Sequence, residues 1–140
     1  MKIVLKRQND ACHLLGSNEE GNTFDIYGAP QIGGENKGFR PMQLVAAASG
    51  SCSAMDIISI LKKQKQDIRD LEVIVNAERD ADRIPSLSES LHLHYVLCGT
   101  LDEKKVDKAI KLSLDKYCSV VKILEKTATI TYTYEIKSTL

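Results

Sequence analysis

Two cysteines carry the chemistry available to this sequence. Cys52 and Cys118 stand 66 residues apart, and the chain holds two more, Cys12 and Cys98. None forms a C-x-x-C pair, which excludes a zinc ribbon and a thioredoxin-type dithiol. The three histidines, His13, His92 and His94, also fall outside known zinc spacings. His92 and His94 share a strand face with no third ligand in view, so no metal and no cofactor is expected. What remains is thiol chemistry, in which the thiolate is the reactive form and a depressed pKa the requirement. Asp56, one helical turn beyond Cys52, adds a carboxylate on the same face. If ionised and close to the sulfur it raises the thiol pKa; if paired with an arginine it orients that arginine instead. Cysteine is also one of the most buried residue types, so Cys12 and Cys98, which sit in no motif, read as strand residues without a role.

The elements that must position these residues follow from pattern. Lys2–Lys6, Cys12–Leu15 and Thr23–Tyr27 read as a β-meander, and residues 28–38, rich in glycine, as loop. Pro41 suits a first helical position. From it a helical pattern runs to Gln66, small and apolar through Ala46–Ala54 and ending in Lys62, Lys63 and Lys65, which suit a helix C-terminus. Cys52 falls mid-helix. Strands over 71–80 and 87–97 form a long hairpin, and Leu91, Leu93, Tyr95 and Leu97 share one face. A helix begins at Asp102–Lys105 with the stripe Val106, Ala109, Ile110, Leu114. Cys118 precedes a short helix over 120–125, whose N–H groups favour an anion there. The strand 128–136 closes the chain. Grouped rather than alternating elements make the class α+β, and 140 residues fit a single domain, 1–140. So apolar a central helix in so small a chain calls for a second copy to cover it.

The bulk numbers narrow the setting. Lysine and arginine number 19 and so do aspartate and glutamate, so no net field draws the chain to nucleic acid or a membrane surface. The opening apolar run, Ile3–Leu5, is too short for a signal peptide. The stretch 44–61 is broken by serines, a glycine and Asp56, which argues against a membrane span. A cytoplasmic, reducing location is the expectation.

The run Arg40-Pro41-Met42-Gln43-Leu44-Val45-Ala46-Ala47-Ala48-Ser49-Gly50-Ser51-Cys52 resembles the P-x-x-L-x-x-A-x-x-x-x-C signature of the OsmC/Ohr superfamily, the osmotically inducible and organic hydroperoxide resistance proteins. Asp115-Lys116-Tyr117-Cys118-Ser119-Val120 resembles that family's second cysteine motif, and within the family the YhfA-like branch is the nearest match. The resemblance implies an OsmC-like fold in an intertwined homodimer, with sites at the subunit interface. It also implies a peroxidatic role for Cys52, a resolving role for Cys118, an arginine against the thiolate, and a peroxide and a dithiol reductant as small-molecule partners. Arg40 is the candidate arginine and Arg7 the other. Peroxidatic members carry an acid directly after the signature proline, where this chain has Met42. A redox-sensing or ligand-binding dimer on the same fold is the alternative.

Overall fold

The computed structural model describes residues 1–139. The chain divides into two compact units, residues 1–45 and 46–140.

The first unit is built on an antiparallel meander: β1 (Ile3–Arg7), β2 (His13–Asn18) and β3 (Thr23–Tyr27), in sheet order β1-β2-β3. His13 and Tyr27, opposite each other in the β2/β3 register, stack with ring centroids 4.2 Å apart. The glycine-rich stretch is not wholly loop, since Pro30–Ile32 forms one 3-10 turn closed by Gly33 in the left-handed region. The chain then pairs Phe39 with Ile26 and enters helix α1 (Pro41–Lys63). Arg40 caps it: its carbonyl accepts from Leu44 N–H, and Gln43 Oε1 reaches back to accept from Arg40 N–H at 2.9 Å. That is the return half of a capping box, with Pro41 at the first helical position.

The second unit packs the body of α1 on a sheet of β4 (Asp67–Arg79), β5 (Ser88–Thr100) and β6 (Thr129–Lys137), in order β4-β5-β6. Strands β4 and β5 form an antiparallel hairpin and β6 lies parallel to β5. A parallel neighbour needs a crossover, supplied by α2 (Glu103–Leu112), a π turn over Ser113–Tyr117 and α3 (Ser119–Leu124). The alternation expected for β5 holds: Leu91, Leu93, Tyr95 and Leu97 are buried, and all but Leu91 join Ile57, Leu61, Val106, Ala109, Ile110, Leu114, Cys118 and Val121 in one core. On the opposite face of β5, Val96 and Cys98 are buried as well, so Cys98 is an interior strand residue.

Strand β4 begins at Asp67 rather than residue 71 and β5 runs on to Thr100, and two helix ends differ from the sequence expectation, each for a local reason. Helix α1 stops at Lys63 rather than Gln66 because Lys65 turns left-handed, φ 57°. Gln66 N–H then bonds Leu61 C=O and Lys65 N–H bonds Lys62 C=O, the pattern of a Schellman cap. Helix α2 ends at Leu112, and its stripe residue Leu114 is carried by the π turn.

Candidate functional site

Helix α1 places Cys52 through small residues. Gly50 faces β4: a Cβ there would stand 2.7 Å from Val75 Cγ2, closer than real contacts allow. Glycine therefore sets how near the helix lies to the sheet, two residues before the cysteine. Ser49 and Ser53 are buried on this face and satisfy their hydroxyls within the helix: Ser49 Oγ donates to Ala46 C=O at 2.7 Å, and Ser53 Oγ to Ser49 and Gly50 C=O at 3.0 Å. Cys52, between them, is half-buried, and Asp56 follows one turn on, also half-buried.

Cys118 arrives from the crossover. Its N–H bonds Ser113 C=O at 2.8 Å, closing the π turn, and it is the N-cap residue of α3. It is fully buried. Its Sγ lies 4.0 Å from the carbonyl of Ser49. The sulfurs of Cys52 and Cys118 and a carboxylate oxygen of Asp56 all lie within 4.8 Å of one another. Asp56 is held from the crossover, where Ser113 Oγ donates to its Oδ2 at 3.1 Å. Asp56 therefore finds a serine where an arginine was the sequence alternative. Behind the pair, the buried Tyr95 hydroxyl donates to Ser53 Oγ at 2.8 Å, and burial pushes its pKa up to about 12.

The expectation that the short helix favours a Cys118 thiolate is corrected here. Burial dominates and pushes the thiol up to about 11. The backbone N–H of Val121 acts in the opposite direction, and nearby Cys52 and Asp56 add to the rise. A single N–H at a six-residue helix does not offset the loss of water around a fully enclosed sulfur. The two motif cysteines do come together, with their sulfurs within 4.8 Å.

The remaining sequence candidates have their own places. Arg40, in the first unit, donates from Nη2 to Asn36 Oδ1 at 3.0 Å, while its Nε is buried without a partner among the described residues. Arg7, on β1, donates to the Asp10 carbonyl at 2.8 Å. Tyr117 is half exposed and lines a cleft of about 370 Å³ with Asp56, Ser59 and Ile60. His92 and His94 are engaged by the neighbouring strand: His92 with Thr131 and Thr133 at 2.8 and 2.9 Å, His94 with Thr133 at 2.7 Å. Cys12 Sγ donates to Ile32 C=O at 3.1 Å. Sequence reasoning missed Ser113 and the Tyr95–Ser53 bond. Ser113 continues the apolar stripe Val106, Ala109, Ile110, and a polar residue at a stripe position was the available signal.

The sequence and the fold match those of known proteins. The family model described as OsmC-like protein matches residues 34–133. Protein YhfA of Escherichia coli K12 is 43% identical over 97 residues, covering 69% of this chain and 72% of that protein. A hypothetical protein from Aquifex aeolicus VF5 superposes with a TM-score of 0.84 at 29% identity, over 97% of this chain and 95% of its own. The organic hydroperoxide resistance protein OhrB of Bacillus subtilis shares the fold, with a TM-score of 0.64 at 19% identity over 96% of both chains. With its two motif cysteines drawn together and its fold that of these relatives, the chain belongs to the OsmC family.

Proposed function

We propose that the chain is a thiol-dependent peroxidase that reduces organic hydroperoxides or hydrogen peroxide through a Cys52/Cys118 dithiol–disulfide cycle. The observation that carries this reading is the convergence of the two sulfurs within 4.8 Å, one half-buried and the other fully enclosed. That asymmetry divides the labour. Cys52 can meet a substrate, whereas Cys118 meets Cys52. The Cys52 thiolate attacks the O–O bond of ROOH, forming a sulfenic acid and releasing RO⁻, which takes a proton to leave as the alcohol. The Cys118 thiol then condenses with the sulfenic acid, forming the disulfide and expelling water. Closing the bond to about 2.05 Å requires the sulfurs to approach, a movement that falls to the half-buried Cys52. An external dithiol returns both to thiols by exchange.

The assembly proposed is a homodimer in the cytoplasm. The most apolar 18 residues of α1 would ordinarily lie in a core, yet only 28% of that stretch is buried within one chain. Met55 is 71% exposed. A second copy covering that helix removes the cost of exposing it.

A second reading, redox sensing without turnover, is favoured by the full enclosure of Cys118, which pushes its thiol up to about 11 and slows its attack at neutral pH. Thiol counting separates the two. Reduced protein mixed with cumene hydroperoxide loses two thiols per chain within seconds and regains them with a dithiol, and Cys52→Ser abolishes the loss. Thiol consumption no faster than that of free cysteine overturns the peroxidase reading.

A further inference from the structure

The same three groups have a second chemical capacity that needs no oxidant. We infer that Cys52, Cys118 and Asp56 form a binding site for a thiophilic divalent cation of the Zn²⁺ or Cd²⁺ class, with a fourth coordination position open toward the cleft. The donor set comes first. Two sulfurs and one carboxylate oxygen lie within 4.8 Å of one another. A tetrahedral ion with Zn–S of about 2.3 Å holds its sulfurs roughly 3.8 Å apart. The contraction required of the sulfurs is at most about 1 Å, and Cys52 is only half-buried.

The ligand types select the ion. Two soft sulfurs and one oxygen suit a zinc-like cation, whereas Mg²⁺ and Ca²⁺ require oxygen ligands throughout. The surroundings are those of a supported ligand. Ser113, fully buried, donates to Asp56 Oδ2 at 3.1 Å and so helps to orient the carboxylate. Asp56 is both a member of the cluster and a wall of the cleft it shares with Ser59 and Tyr117, which puts one ligand of the cluster on that cleft. Lys63 on the same cleft places a positive charge near a site that, once filled, carries a net charge of −1.

The step balances without electron transfer. The cation displaces one proton from each thiol, two S–H bonds break, two metal–sulfur bonds form, and two protons pass to solvent. The carboxylate binds as it stands and water takes the open position. Filling the site occupies both sulfurs, so the cation and a peroxide compete for the protein. The inference rests on the geometry of the cluster and not on peroxide chemistry.

Cobalt(II) is the probe, added without oxygen to the reduced full chain. The expected result is one Co²⁺ per chain, with a sulfur-to-cobalt charge-transfer band in the near ultraviolet and intense tetrahedral visible bands, both displaced by Zn²⁺. Cys52→Ser, at a half-exposed position, abolishes the charge-transfer band while its circular dichroism stays that of the parent. Asp56→Asn and Ser113→Ala weaken Zn²⁺ binding by about 10–100-fold, and the Cys12→Ser/Cys98→Ser double variant binds like the parent. Absence of the band, its persistence in Cys52→Ser, or its loss in the double variant overturns the site. The two readings fail separately. A protein that binds one Co²⁺ but consumes no peroxide refutes the peroxidase and keeps the site, and one that turns over peroxide but shows no charge-transfer band does the reverse.

Discussion

The phenol of Tyr95 donates to Ser53 Oγ at 2.8 Å, joining the middle strand of the second sheet to the turn of α1 that carries Cys52. Both side chains are fully buried. Ser53 spends its own proton on the carbonyls of Ser49 and Gly50, which leaves its lone pairs for the tyrosine. The cysteine's turn is thereby anchored to β5 by a bond sealed from water. Removing the tyrosine hydroxyl leaves Ser53 still satisfied as a donor, so Tyr95→Phe should cost about 1 kcal/mol. Ser53→Ala instead strands the Tyr95 hydroxyl in the core and should cost about 1–3 kcal/mol. Urea unfolding of both single variants and the double variant checks this, with the double expected to cost less than the sum. Simple additivity would sink the claim of a coupled pair.

Gly50 should resist the substitution that helices ordinarily welcome. Alanine is favoured over glycine by about 1 kcal/mol within a helix. Here its Cβ would stand 2.7 Å from Val75 Cγ2. Overpacking of that kind costs about 1–3 kcal/mol, so Gly50→Ala should be neutral to destabilising. Adding Val75→Ala should relieve the clash, and thermal unfolding of the pair reads the relief. A Gly50→Ala protein more stable than the parent would show that the helix has room to retreat.

Lys65 points the other way. It sits exposed at φ 57°, a conformation in which only glycine is free of a Cβ penalty. Lys65→Gly should stabilise the chain by about 0.5–1 kcal/mol, because the Schellman bonds of Lys65 and Gln66 need only backbone. Chemical denaturation measures it, and a loss of stability would mean that the lysine side chain contributes more than its backbone costs.

The Cys118 thiol sets an alkaline limit. Burial raises it from an ordinary value of 9.0 to about 11 in the folded chain. The folded state therefore binds the proton more tightly than the unfolded state does, and this contribution is fully present below about pH 9. It is lost as pH rises toward 11, where the unfolded chain has already released its proton. Unfolding free energy followed across that window should fall more steeply for the parent than for Cys118→Ala, which has no proton to lose. Alkylation of the native protein by iodoacetamide should likewise reach Cys52 well before Cys118. Equal slopes for the two proteins would remove Cys118 as the cause.

Much of this was legible before any coordinates. Hydrophobic alternation located β5 through Leu91, Leu93, Tyr95 and Leu97, and the two cysteine motifs named the pair that the fold brings together. What sequence could not supply was set by burial and by backbone outside the regular periods. The dipole argument for Cys118 saw a helix start but not the enclosed sulfur. The end of α1 was overrun because lysine, unlike glycine, does not announce a left-handed cap. Ser113 went unnoticed because its partner, Asp56, is 57 residues away, and no local pattern links a crossover turn to the central helix.

The π turn before Cys118 has a consequence for how the chain tolerates change. It holds five residues, Ser113–Tyr117, closed by the bond from Cys118 N–H to Ser113 C=O. Restoring an ordinary α-turn there by deleting one residue would swing everything after it by roughly 100° about the helix axis. The thiol would then leave the interior although every side chain around it stayed the same. The direction in which Cys118 faces is thus encoded by chain length, as a count of backbone units, and a one-codon deletion in this segment should disarm the pair as surely as replacing the cysteine.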